Sequence, residues 1–398
     1  MKQQNLLLYI VLFFVGFFGC KDISDIKDQD MPFKKISSSY SGIEFSNTIT
    51  PNLENYENLF DYDYFYNGSG VGIADINNDG LQDILFTANQ KDNKLYLNKG
   101  DLKFEDITSN SGINENKGWA SGITFVDINA DGWLDIYISQ GGPFKPSSRE
   151  NVLLINNQDL TFTERSKEYG LNDGGISTQS AFFDYDNDGD LDCIVMNENQ
   201  FFGFDPISFF KKFEDKKVLM ENSSHLYEQI DGKFMNVTEK AGILSPTFGL
   251  GLCITDLNDD NWPDIYIAND YYLKDAMYIN NKNGTFSNNI KEATKQISFY
   301  GMGVDIEDIN HDNLSDILVL DMASSDHVRS KTLMASMDTE NFDLITNKLD
   351  QHYQYMFNSL QLNIGNNKYH NIAHQLNIAK TDWSWAGLIF DFDNDGNE

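Results

Sequence analysis

The sequence predicts an all-β chain of the β-propeller class, and three observations carry that prediction. An aspartate-rich motif recurs six times, a second hairpin-like element recurs between the copies, and the shortest spacing between copies suits one four-stranded blade.

The six copies read GVGIADINNDGLQDILFTAN from Gly70, GITFVDINADGWLDIYISQG from Gly122 and SAFFDYDNDGDLDCIVMNEN from Ser180, then GLCITDLNDDNWPDIYIAND from Gly251, GVDIEDINHDNLSDILVLDM from Gly303 and GLIFDFDNDGNE from Gly387. Each is a Gly-containing or small-residue apolar stretch, an Asp-rich loop and a β-branched stretch. The first loop aspartates lie 52, 57, 72, 52 and 83 residues apart. Between them, strand–turn–strand segments begin at Lys94, Val152, His225 and Ala276, each with a turn of Gly, Asn or Asp and a Phe in its second strand. Two hairpins per unit make a four-stranded blade.

The two longest spacings locate insertions. Residues 200–224 are rich in Phe, with Phe201, Phe202, Phe204, Phe209, Phe210 and Phe213. In residues 324–359, Phe342, Ile345, Leu349, Tyr353 and Met356 recur at helical spacing and predict an amphipathic helix packed on the propeller. Both insertions are expected to cover apolar surface; contact with a ligand is the alternative, because recognition sits on loops held by rigid scaffolds.

The loops carry oxygen donors in the pattern D-x-[DN]-x-D-[GN]-x-x-D. These are Asp75, Asn77, Asp79 and Asp83; Asp127, Asn129, Asp131 and Asp135; and Asp184, Asp186, Asp188 and Asp192. The series continues with Asp256, Asn258, Asp260 and Asp264; Asp308, Asn310, Asp312 and Asp316; and Asp391, Asp393 and Asp395. Positions one, three and five of a tight loop turn toward one centre, and position nine closes the shell from the next strand. That donor set suits a hard cation, and Ca²⁺ tolerates its irregular geometry better than Mg²⁺. No His or Cys stands at a ligand position, which argues against zinc and copper. Position six is Gly80, Gly132, Gly189 and Gly396, or Asn261 and Asn313, the residues that best accept a left-handed backbone.

An EF-hand would need Glu at position twelve and flanking helices. Position twelve is instead Phe86, Ile138, Val195, Ile267 and Val319, inside β-branched runs. Tight turns alone would favour Asp, Asn and Gly, but clusters of three or four carboxylates per loop repel one another unless a cation neutralises them. Up to six Ca²⁺ ions are therefore expected in this chain.

Composition bounds the function. With 29 Lys+Arg against 61 Asp+Glu, the formal charge of -32 repels phosphate backbones and excludes nucleic acid as a partner. Aromatic residues make up 13% of the chain, which excludes disorder as the reason for the acidity.

Residues 1–20 read as an export signal: Lys2, an apolar run over residues 6–18, then Gly19 and Cys20. The run is too short to span a bilayer as a helix. Small-residue-then-Cys resembles a bacterial lipoprotein cleavage site, with Cys20 as the lipidated residue and residues 21–31 as a polar tether; ordinary secretion is the alternative. On this reading the membrane is met only through a lipid anchor, and residues 32–398 form the propeller. Cys193 and Cys253 lie in apolar runs and are expected as buried free thiols.

The repeats resemble the FG-GAP, or VCBS-type, repeats of integrin α-subunit propellers and of bacterial surface proteins related to cartilage acidic protein. TDWSWAGLIFDFDNDG from Thr381 and QHYQYMFNSLQLN from Gln351 resemble the Bacteroidota surface-lipoprotein branch in particular. The resemblance implies a seven-bladed propeller with calcium in several hairpin loops, an outer-membrane or cell-surface location and no catalytic residues. Because the sixth loop stops before its closing Asp, the sequence reads as a fragment whose propeller is incomplete at its C-terminus.

The function expected is a calcium-stabilised, non-enzymatic binding or adhesion module for a protein or glycan ligand. The alternative is a polysaccharide lyase or hydrolase on a propeller scaffold, for which His352, His370 and His374 are the nearest candidates to a base. A purely structural repeat region is a third reading.

Overall fold

The computed structural model describes residues 33–114, 118–142, 148–332 and 339–396. The expected leader, Cys20 and the tether lie outside the described residues.

Among the described residues, twenty strands form five antiparallel four-stranded sheets, each a meander in chain order. The first blade is β1 (Val71–Ala74), β2 (Asp83–Phe86), β3 (Lys94–Asn98) and β4 (Phe104–Asp106). The second is β5 (Trp119–Val126), β6 (Asp135–Gly141), β7 (Val152–Asn156) and β8 (Phe162–Glu164). The third is β9 (Ser177–Phe183), β10 (Asp192–Asn197), β11 (His225–Ile230) and β12 (Lys233–Asn236). The fourth is β13 (Gly249–Thr255), β14 (Asp264–Asn269), β15 (Ala276–Asn280) and β16 (Phe286–Asn288). After the short β17 (Ile297–Ser298) comes the fifth blade, in which β18 (Gly303–Glu307) and β19 (Asp316–Leu320) pair with β22 (Ser359–Asn363) and β23 (Tyr369–Asn371). The small β20 (Met322–Ala323) pairs with β24 (Asp382–Trp383), and β21 (Gln354–Tyr355) pairs with β17 in parallel. The sequence thus folds as an all-β, propeller-type chain.

The first strands of successive blades stand side by side. Ser121 Oγ of β5 donates to Ser177 O of β9 at 2.6 Å, and Thr178 Oγ1 donates to Gly249 O of β13 at 3.0 Å. This proximity explains the glycines that open the motif: a Cβ on Gly70 would meet Ser121 O at 2.3 Å, and one on Gly303 would meet Trp385 O at 2.3 Å. The sixth motif copy lies beside β18, where Ile389 N–H donates to Asp305 Oδ2 at 2.7 Å.

Second strands are buried along their whole length in β6, β10 and β14, because blades pack on both faces of them. The core therefore lies between blades. Tyr137 and Leu153 of the second blade pack with Cys193, Val195 and Tyr227 of the third. Ile194, Met196 and Leu226 of the third pack with Ile265, Ile267 and Tyr278 of the fourth. Each such side chain removed from water contributes about 1.5–3 kcal/mol before entropy is charged.

Strand direction sets two functional ends. The Asp loops join first to second strands at one end, whereas the insertions follow second strands and lie at the other. Residues 206–212 and 216–221 form two short helices, capped by Asp205 and Asp215. Phe209 is fully buried and stacks on Phe248 with ring centroids 5.4 Å apart. Tyr62, Tyr64 and Phe65 enter the same aromatic cluster. Tyr62 donates to Glu198 at 3.1 Å and Tyr64 to Asp270 at 2.6 Å.

The second insertion corrects the expected long helix. Among the described residues, helix runs over Thr339–Asp343 and continues as a π-turn over Leu344–Lys348. Asp350 then turns left-handed (φ 55°), and Gln354 and Tyr355 go into a strand. Backbone pairing with β17 wins over helical periodicity, so Tyr353 and Met356 lie beyond the helix; Phe342 still packs on Tyr355, at 5.5 Å. Cys193 and Cys253 are free, the first buried and the second half-buried, and burial pushes the Cys253 thiol up to about 11.

Candidate metal-binding hairpin loops

Each loop is wound around its first aspartate. Asp75 Oδ1 accepts from Asp79 N–H at 3.1 Å and Oδ2 from Gly80 N–H at 2.7 Å. The same pair of bonds recurs at Asp127, Asp184, Asp256, Asp308 and Asp391. Position five then accepts from position seven, as in Asp79 Oδ1 with Leu81 N–H at 2.8 Å. Position six is left-handed throughout, with φ of 85° at Gly80 and 65° at Asn261 and Asn313. Position four is left-handed too, at Asn78, Ala130, Asn187, Asp259, His311 and Asn394, a requirement the sequence reading missed. Alternating backbone hand brings positions one, three and five to one side.

In two loops the carboxylates converge: ligand oxygens of Asp184, Asp186 and Asp188, and of Asp391, Asp393 and Asp395, lie within 4.8 Å of one another. Asp186 Oδ1 is buried and accepts no hydrogen bond, as is Asn258 Oδ1 in the fourth loop. Burial pushes the Asp186 carboxyl up, helped by Asp188, Glu228 and Asp184. Orphaned oxygens beside like charges fit a cation with oxygen ligands. Where position three is Asn77, Asn129 or Asn310, its amide donates to the position-five carboxylate at 3.0, 3.1 and 3.1 Å, so those loops close partly on themselves.

The ninth position does more than close a shell. Asp83, Asp135, Asp192, Asp264 and Asp316 are all buried. Asp83 Oδ2 accepts from Ile76 N–H at 3.1 Å and Oδ1 from Asn98 N–H at 2.7 Å, tying the loop to the third strand. Asn156, Gln229, Asn280 and Asn363 donate to the other four in the same way. Burial outweighs these donors and pushes the carboxyls up, Asp135 to about 6 and Asp192 and Asp264 to about 7. Each oxygen has a second lone pair for a metal.

In the second and fourth blades the Asn that ends the third strand also staples blades. Asn156 Nδ2 donates to Ile76 O of the preceding blade at 2.9 Å, and Asn280 Nδ2 to Tyr185 O at 2.7 Å. Its place as the Asn that closes the apolar run just before the turn, in KLYLN, VLLIN and AMYIN of the first, second and fourth repeats, was the available signal.

The late histidines have separate surroundings. His352 is buried with Nε2 3.0 Å from Thr294 Oγ1, His374 packs edge-on to Phe357, and His370 is exposed in β23.

The FG-GAP-like repeat family matches at residues 75–138 and 256–319, covering two pairs of adjacent hairpins built on these loops. Cartilage acidic protein 1 of Xenopus tropicalis is 30% identical over 131 residues, 33% of this chain and 20% of that protein. Among solved structures, an Agrocybe aegerita lectin described for recognition of non-reducing terminal N-acetylglucosamine superposes with TM-score 0.40 and 15% identity, over 75% of this chain and 64% of the lectin. The Vibrio cholerae biofilm matrix protein Bap1 gives TM-score 0.35 and 13% identity, over 65% and 35% of the two chains. Residues 75–138 and 256–319 are thus FG-GAP-like repeats within a chain of propeller-type fold.

Proposed function

We propose that the chain is a calcium-stabilised, extracellular binding or adhesion module of a bacterial surface lipoprotein, without enzymatic activity. The observation that carries the calcium part is the convergence of Asp184, Asp186 and Asp188 with an orphaned buried oxygen on Asp186. In this reading the loops hold Ca²⁺ through the side-chain oxygens of positions one, three, five and nine, and the ion offsets repulsion that otherwise loosens the hairpin. The residues of the chain supply the rest: position nine locks the loop to the third strand, and in the second and fourth blades the third-strand amide locks it to the neighbouring blade. A rigid scaffold then presents the insertions at the opposite end to a protein or glycan. Export and the lipid anchor rest on residues 1–20 of the sequence.

Calcium titrated calorimetrically into chelator-treated chain should bind at several sites and raise the melting temperature, with Mg²⁺ a weak competitor. Absence of both heat and stabilisation would reject the calcium reading. Incorporation of labelled fatty acid that depends on Cys20 tests the anchor; a Cys20→Ala chain labelled as strongly as wild type would reject it.

A further inference from the structure

At the end opposite the Asp loops, the two insertions and the fourth blade enclose a cavity of about 250 Å³. Phe210, Phe213 and Leu219 of the first insertion wall one side with Leu273, and the polar lining includes Lys274 and Asn288. Gln351 of the second insertion borders it and orders the lysine's backbone, its Oε1 accepting from Lys274 N–H at 3.1 Å.

Lys274 is the informative group. It is half-buried in a chain of formal charge -32, yet no described carboxylate stands within ion-pair reach of it. Asp350 gives its carboxylate to Lys291 at 2.6 Å and offers Lys274 a backbone carbonyl at 3.5 Å. Burial, with the charge of Lys291, pulls the Lys274 pKa down further than the charges of Asp350 and Glu292 raise it. A partly desolvated ammonium on a residue that lines a cavity, with no carboxylate in ion-pair contact, is an anion-binding arrangement. The Asn288 side-chain N–H₂ has no described acceptor and stands at the same rim, suited to a hydroxyl. The phenyl walls suit the apolar C–H face of a ring.

We infer that this cavity binds a small organic carboxylate of monosaccharide size, an acidic sugar whose carboxylate pairs with Lys274 and whose ring lies against Phe210 and Phe213. The inference deepens the binding-module reading by supplying a ligand class, and it does not depend on the loops being metal-filled.

The test is calorimetric titration of sodium glucuronate into the full chain, in calcium buffer and in chelator, with glucuronate methyl ester and glucose alongside. Glucuronate should bind at one site, and the neutral ester and glucose about tenfold or more weakly, the factor a lost charge-assisted hydrogen bond gives. Lys274→Met should weaken glucuronate by about tenfold and leave the ester unchanged, whereas Phe213→Ala should weaken both. No binding of glucuronate in either buffer, equal affinity for acid and ester, or a Lys274→Met chain that binds glucuronate like wild type would each overturn the proposal. The acid-against-ester comparison decides the matter on the unmodified chain if a variant misfolds. Failure of calcium to bind while glucuronate binds would sink the calcium reading and leave this one standing.

Discussion

Asp135 and Asn156 join the second and third strands of the second blade at the mouth of the Asp loop: Asn156 N–H donates to Asp135 Oδ1 at 2.8 Å, while Asn156 Nδ2 reaches Ile76 O of the first blade at 2.9 Å. One residue pair thus connects a metal-type loop, its own hairpin and the neighbouring blade.

Replacing Asp135 by Asn should be costly even without metal. Both carboxylate oxygens accept backbone N–H groups, from Asn156 and Ile128, and an amide N–H₂ would turn one of these into a donor–donor clash. A loss of about 2 kcal/mol is expected, the cost of an unsatisfied buried donor. Chemical denaturation in chelator measures it; a loss under a few tenths would contradict the clamp.

The third loop should respond most sharply to calcium. Asp186→Asn removes a charge from a triad of converging carboxylates. In chelator the variant should melt above wild type, because repulsion falls; in saturating calcium it should gain less, because a charged ligand is gone. Differential scanning calorimetry in the two buffers reads the calcium-induced rise in melting temperature, and a rise as large in the variant as in wild type would be inconsistent with a metal site at this loop.

The buried pair of Asp173 and His225 should give a bounded pH dependence. Asp173 Oδ2 also accepts from Tyr227 at 2.7 Å, and His225 Nε2 faces Met220 O at 2.8 Å. Burial opposes both charges, but each partner overcomes it: the Asp173 pKa is lowered from 3.8 and that of His225 raised from 6.5. The histidine contribution is complete below 6.5 and is lost as pH rises through its raised pKa. The aspartate contribution is complete above 3.8 and is lost as pH falls through its lowered one. The stability difference between wild type and His225→Gln should therefore be largest between these limits and shrink above them. A flat difference from pH 5 to 9 would refute the ion pair.

Phe209→Ala should unseat the first insertion. The ring is fully buried against Phe248, Phe210 and Phe213, so about 3–5 kcal/mol is expected from the lost burial and the void. Limited proteolysis should then cut within residues 200–224 ahead of the blades. Cleavage unchanged from wild type would show that the insertion is held elsewhere.

Much of this was readable in the linear chain. Asp75, Asn77, Asp79 and Gly80 recur with fixed offsets because a tight loop constrains neighbouring residues to one another, and position twelve lies in a strand, as Phe86, Ile138, Val195, Ile267 and Val319 show. Helical spacing in the second insertion misled from Leu349 onward, since a local period carries no information about β17, more than fifty residues earlier.

The sequence by itself determined the repeat, the hairpin, the donor pattern and the left-handed position six, all of them local matters of spacing and backbone preference. Only the tertiary structure decided that the ninth-position aspartates turn both oxygens onto backbone N–H groups, and that Asn156 and Asn280 reach across blades. It alone brought Lys274 to a cavity beside Phe210 and Phe213, residues some sixty positions away. Those outcomes depend on which distant groups burial leaves within hydrogen-bonding reach, a property of packing that no periodicity records.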